Sequence, residues 1–113
     1  MSLFDQINTA SNFDENLTKE KHLPIIDVTK ISEGKYSVKV DLGGGKHPNE
    51  MDHWFQWVEL RVNDLFVGRA EFSAGIMDPI ATFTLNLSGD KKPEISALAR
   101  CNKHGLWLSK KSL

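Results

Sequence analysis

A chain of 113 residues, 40% of them hydrophobic, has the length and apolar content of one compact domain with a modest core. Fourteen Lys and Arg against fifteen Asp and Glu leave a formal net charge of −1, so no broad positive field is available to hold a nucleic acid backbone or an anionic membrane surface. The apolar runs fall far short of the roughly 20 residues that cross a bilayer, and no basic patch followed by a hydrophobic stretch opens the chain. A soluble, cytoplasmic protein is expected.

Residues 1 to 19 are polar, with scattered apolar positions such as Leu3, Phe4 and Phe13, and read as a loosely held lead-in. From Ile25 the pattern turns to period two. Tyr36, Val38, Val40 and Leu42 alternate with Ser37, Lys39 and Asp41, as a half-buried strand requires. The segment 55–62 (FQWVELRV) is aromatic and β-branched, and Asn63-Asp64 then offers two residues that tolerate positive φ, which predicts a hairpin. Ala81, Phe83, Leu85 and Leu87 alternate with polar residues up to a Ser88-Gly89-Asp90 turn, and 94–100 and 105–109 form the final strands. Short strands, frequent turns and no helical periodicity predict an all-β, antiparallel sandwich without repeats or linkers.

The single cysteine, Cys101, has no intrachain disulfide partner, so packing, reactivity or metal binding must account for it. All four histidines sit beside turn-forming sequence: EKHLP at 20–24, HPNEMDH at 47–53 and CNKHG at 101–105. Pro24 and Pro48 restrict the backbone next to His22 and His47, and Gly43, Gly44 and Gly45 open conformations closed to other residues. Any one of these residues alone reads as a surface histidine or a packed thiol. Together His22, His47, His53, His104 and Cys101 form a candidate metal set. Zinc usually takes four protein ligands, or three plus water, and blue copper takes two histidines, a cysteine and a methionine. Five mixed imidazole and thiolate donors suit a redox iron with one coordination position open to a small molecule. Trp57 and Trp107 read as core packing.

These three motifs resemble the superoxide reductases, the neelaredoxin and desulfoferrodoxin family, in order and internal spacing, and WVEL at 57–60 is similar to a strand of that family. Asn49 departs from the methionine common in the second motif, at a position that supplies no ligand. The single cysteine rules out the Cys-rich second centre of the larger relatives, so the single-centre class is implied. The resemblance further implies an immunoglobulin-like β-sandwich and a square-pyramidal iron, with His22, His47, His53 and His104 in the plane and Cys101 axial. By the same resemblance, Lys21 lies near the open position and Glu20 can coordinate the oxidised iron. A lysine there would attract superoxide and orient a proton-donating water. Backbone amides of Asn102 and His104 would temper donation from the sulfur. The implied reaction is one-electron reduction of superoxide to hydrogen peroxide, with an external donor such as rubredoxin, in a homodimer or homotetramer. Two alternatives stay open on the sequence: a cupredoxin-like electron-transfer protein, and a metal-free interaction domain.

Overall fold

The computed structural model describes residues 7–13, 20–89 and 92–113. Alternating apolar and polar residues build β2 (Pro24–Ser32) and β3 (Lys35–Leu42), which pair antiparallel from Pro24 opposite Leu42 to Ser32 opposite Lys35. Gly34, at φ 74°, takes the left-handed conformation that the tight connection between them requires. Strand β6 (Ile80–Asn86) joins the other edge of β3, giving a three-stranded sheet in the order β2-β3-β6.

The second sheet runs β1-β8-β7-β4-β5. Here β4 (Phe55–Val62) and β5 (Leu65–Glu71) form the hairpin read from the sequence, with Asn63 and Asp64 at φ 48° and 67°. Central β7 (Glu94–Cys101) pairs with β4 on one side and with β8 (Gly105–Ser112) on the other. A register shift between Phe55 and Trp57 lets Phe55 and Val58, three residues apart, both point inward. That bulge delivers Phe55 to the end of the sandwich where the histidines gather.

Part of the lead-in is tied down, against expectation. Ile7 and Asn8 form β1, which pairs parallel with β8, and the Asn8 side chain donates to the Leu106 carbonyl at 3.1 Å. Phe13 packs edge-on against Trp107, its ring centroid 4.9 Å away. These contacts explain apolar positions that looked scattered in one dimension. Leu3 and Phe4 lie outside the described residues, as do Asp90 of the expected turn and the 14–19 part of the lead-in.

The inner faces meet in one core. Val38, Val40 and Leu42 of β3 are fully buried, as are Val58 and Leu60 of β4 and Ile95, Ala97 and Ala99 of β7. Leu60→Ala should cost about 2–5 kcal/mol through lost transfer energy and a residual cavity. Urea denaturation should show this as a lower midpoint with little change in slope.

Candidate metal centre

Strand register brings the separate motifs to one end of the sandwich. Pro24 pairs with Leu42, Phe55 with Cys101, and Cys101 with Gly105, so the start of β2, the end of β3, the start of β4, the end of β7 and the start of β8 lie together. His22 directly precedes β2, His47 follows β3 after a one-turn 3-10 helix at Gly43–Gly45, His53 precedes β4, and His104 lies in the β7–β8 turn. Antiparallel pairing thus turns distance along the chain into proximity.

Local devices hold each loop. A Cβ on Gly43 would collide with the Lys21 carbonyl and the His47 Cβ, so only glycine, here at φ 79°, lets the segment before β2 lie against the segment after β3. The Lys21 N–H donates to the Lys46 carbonyl at 3.2 Å and closes that contact. Glu50 and His53 exchange backbone hydrogen bonds of 2.9 and 3.1 Å, a tight turn that fixes His53. Asn102 holds the far end of this loop, accepting from the Trp54 N–H at 3.0 Å and donating to the Asp52 carbonyl at 2.9 Å.

The four imidazoles form a closed ring. His22 to His47, His47 to His53, His53 to His104 and His104 to His22 have centroid separations of 4.7, 4.8, 5.0 and 4.9 Å, with interplanar angles of 69° to 87°. Each ring presents its edge to the next. The Cys101 sulfur lies 3.3 Å from His47 Nε2 and 3.9 Å from His104 Nδ1, and one ligand atom from each of the five residues falls within 4.8 Å of all the others. The thiol is fully buried, whereas His104 opens to solvent. The wall is aromatic: Trp107 stacks on His22 at 4.3 Å and 13°, and Phe55 lies 4.2 Å from His47.

Burial keeps two of the rings, His22 and His47, neutral. Burial, followed by the neighbouring His47, His104 and His53, depresses the His22 pKa to about 3. Burial likewise brings His47 down to about 4, partly opposed by its bond to the Pro48 carbonyl. That bond, from His47 Nδ1–H to Pro48 O at 2.6 Å, leaves the Nε2 lone pair facing the cluster. His53 Nε2 is buried and has no hydrogen-bond partner among the described residues. A buried nitrogen in that state is costly unless something accepts its lone pair, and a cation at the centre would do so. Four imidazoles with one cysteine sulfur form a donor set that fits a transition metal.

Comparison with known proteins agrees. The desulfoferrodoxin family profile matches residues 14–110. The chain belongs to the desulfoferrodoxin family. Within it, the superoxide reductase of Pyrococcus horikoshii is 39% identical over 100 residues, covering 78% of this chain and 83% of that protein. The superoxide reductase of Thermococcus kodakarensis is 37% identical, with the same coverage. The solved superoxide reductase (neelaredoxin) of Ignicoccus hospitalis superposes with a TM-score of 0.84 at 32% identity, covering 100% of this chain and 98% of that one. The all-β sandwich is therefore the desulfoferrodoxin fold.

All five residues singled out as metal donors come together. Glu20 joins them: its Oε2 lies 3.6 Å from His104 Nδ1, 3.9 Å from His22 Nε2 and 4.0 Å from His53 Nε2. Lys21 is half-buried between Glu20 and His22 and lines a groove with Pro24, Gly43 and Lys46. One expectation fails. The Asn102 N–H donates to the Trp54 carbonyl at 3.2 Å instead of facing the sulfur, because the β7–β8 turn is stitched to the entry of β4. Trp107 was read as core packing alone, yet it also stacks on His22 and donates its indole N–H to the His104 carbonyl at 3.1 Å. Its place three residues after His104 and two after the turn glycine Gly105 was the available signal. The cupredoxin-like alternative loses its ground, since four imidazoles surround the thiol while Met51 and Met77 are exposed.

The depressed histidines define a pH signature. Between their ordinary value of 6.5 and about 3, the unfolded chain binds protons that folded His22 refuses, with His47 behaving alike down to about 4. Stability of chelator-treated protein should therefore fall as pH drops through that window, with no contribution from these groups above it. Urea titrations across the range check this, and His22→Gln should flatten the decline.

Proposed function

We propose that this protein is a superoxide reductase: a single iron-binding domain that passes one electron to superoxide, which with two protons leaves as hydrogen peroxide, without forming dioxygen. One observation carries the reading. It is the closed ring of four imidazoles with a buried thiol against it, in a chain whose full-length relatives bear that name.

On this reading His22, His47, His53 and His104 hold the metal through ring nitrogens, and Cys101 holds it through sulfur. Five mixed donors favour iron over four-coordinate zinc. Iron, when bound, supplies the electron by passing from ferrous to ferric. The chain sets the conditions for that transfer. Burial keeps His22 and His47 unprotonated and ready to donate. The Cys101 thiolate, shut away from water, adds electron density that favours giving up an electron. Glu20, within 4.0 Å of three ring nitrogens, would be in reach of a metal held by these residues and would offer its carboxylate to the oxidised form. Lys21, its chain neighbour, attracts the anionic substrate and orients water that delivers protons.

Among the described residues no helix is long and apolar enough to span a membrane. We place the protein in the cytoplasm, as a homodimer or homotetramer served by an external one-electron carrier such as rubredoxin. The ferrous state must be restored from outside, because the sequence carries no second redox-centre motif.

The direct test is metal content and visible spectrum before and after a superoxide pulse. About one iron per chain, as five donors around a single ion require, should be oxidised with release of peroxide. Absence of iron, or dioxygen evolution matching the peroxide, would defeat the reading. Cys101→Ser should abolish the sulfur-to-iron absorption of the oxidised protein. Lys21→Ala should slow the reaction with superoxide about tenfold or more and flatten its dependence on ionic strength, with the fold intact by circular dichroism. An unchanged rate and salt dependence would remove Lys21 from the mechanism.

A further inference from the structure

Asn49 lies in the loop between two of the proposed ligands, where the related motif commonly has methionine. Its side chain reaches across to another loop. The amide nitrogen donates to the Met77 carbonyl at 2.9 Å, and the amide oxygen accepts from the Gly75 N–H at 3.0 Å. The receiving turn is itself firm: the Ile76 and Met77 N–H groups both return to the Ser73 carbonyl, at 3.3 and 3.2 Å, and Gly75 sits at φ 72°. A neighbouring carbonyl, that of Pro79, accepts the Leu42 N–H at 3.0 Å, which ties this segment to the end of β3.

One residue before Asn49, the Pro48 carbonyl accepts the His47 Nδ1–H at 2.6 Å. That carbonyl belongs to the planar peptide unit that ends at the Asn49 Cα, so anchoring Asn49 constrains where the oxygen points. We infer that Asn49 is a positioning residue for His47: by clamping its loop to the 73–77 turn it orients the Pro48 carbonyl that holds the His47 ring with Nε2 facing the centre. A methionine cannot form this clamp, because its thioether donates no hydrogen bond and accepts only weakly. The device is therefore particular to chains with an amide at this position. Groups that orient a metal-binding histidine through its outer nitrogen typically matter by 10- to 100-fold in metal affinity.

The inference rests on His47 being a ligand, and the test keeps the two claims apart. Zinc-loaded protein, which is diamagnetic, allows the His47 ring nitrogens and the Nδ1 proton to be followed by proton–nitrogen NMR, and metal release to a chelator can be timed on the same sample. In Asn49→Ala the Nδ1 proton should exchange with water about tenfold faster, and zinc should leave about tenfold faster. The control is Asn63→Ala, which removes a comparable amide clamp on the Glu94 N–H, 3.0 Å long, at the opposite end of the sheet. It should lower thermal stability and move neither readout. Wild-type proton exchange in Asn49→Ala, or equal acceleration in Asn63→Ala, would overturn the positioning role while leaving His47 a ligand. A His47 Nε2 resonance indifferent to zinc in the unsubstituted protein would overturn both. Should Asn49→Ala fail to fold, Asn49→Asp keeps the acceptor for Gly75 but loses the donor to Met77. Faster proton exchange and zinc release in that variant sustain the role, and unchanged values overturn it.

Discussion

The convergence of five donor side chains on one point is the constraint around which this molecule is organised. Four imidazoles and a thiol bring their ligand atoms within 4.8 Å of one another in a largely buried pocket, and His53 Nε2 has no hydrogen-bond partner there among the described residues. Without a cation, His22 Nε2 and His104 Nδ1 at 3.1 Å, and His47 Nε2 and the Cys101 sulfur at 3.3 Å, can satisfy each other, whereas His53 Nε2 has lost water and gained nothing, which opposes folding. Protonation offers no relief for His22 or His47, whose pKa values burial drives down to about 3 and about 4. The surrounding sandwich must hold the donors in place, and a bound metal returns that cost as affinity.

The scaffold meets this demand at one end. Five strand termini are brought level by antiparallel register, so each loop has to travel only a few residues to reach the centre. Precision then comes from small devices. Gly43 permits a backbone contact that any side chain would block, Asn102 and the Glu50–His53 turn lock the entry to β4, and Asn49 ties the His47 loop to its neighbour. Trp107 serves both core and centre: buried beneath the sheet, it stacks on one imidazole and holds the carbonyl of another donor.

The centre is asymmetric in a way that suits reduction of a small anion. The thiol is completely enclosed while His104 and Glu20 face solvent, so the open side of the centre is the carboxylate side and the sulfur stays dry. A carboxylate close to three ring nitrogens repels an approaching anion unless it moves or is offset. Lys21, its neighbour in the chain, carries a charge of the opposite sign.

Much of this was legible in one dimension, because period-two alternation and turn-forming pairs are local properties: Val38, Val40 and Leu42 point inward as their spacing demands, and Asn63-Asp64 turns as its tolerance of positive φ allows. The donor set was legible too, since every histidine and the only cysteine fall in turn contexts with family spacing. Cross-loop chemistry could not be read this way. Whether Asn49 bonds Gly75, whether the Asn102 N–H faces sulfur or Trp54, and whether Trp107 touches a histidine depend on which loops register and a bulge bring side by side. The docking of Phe13 on Trp107 belongs to the same class. Sequence by itself determined which residues could bind a metal, because ligand chemistry resides in single side chains. Only the tertiary structure decided how they are oriented, because orientation is imposed by contacts between segments distant in the chain.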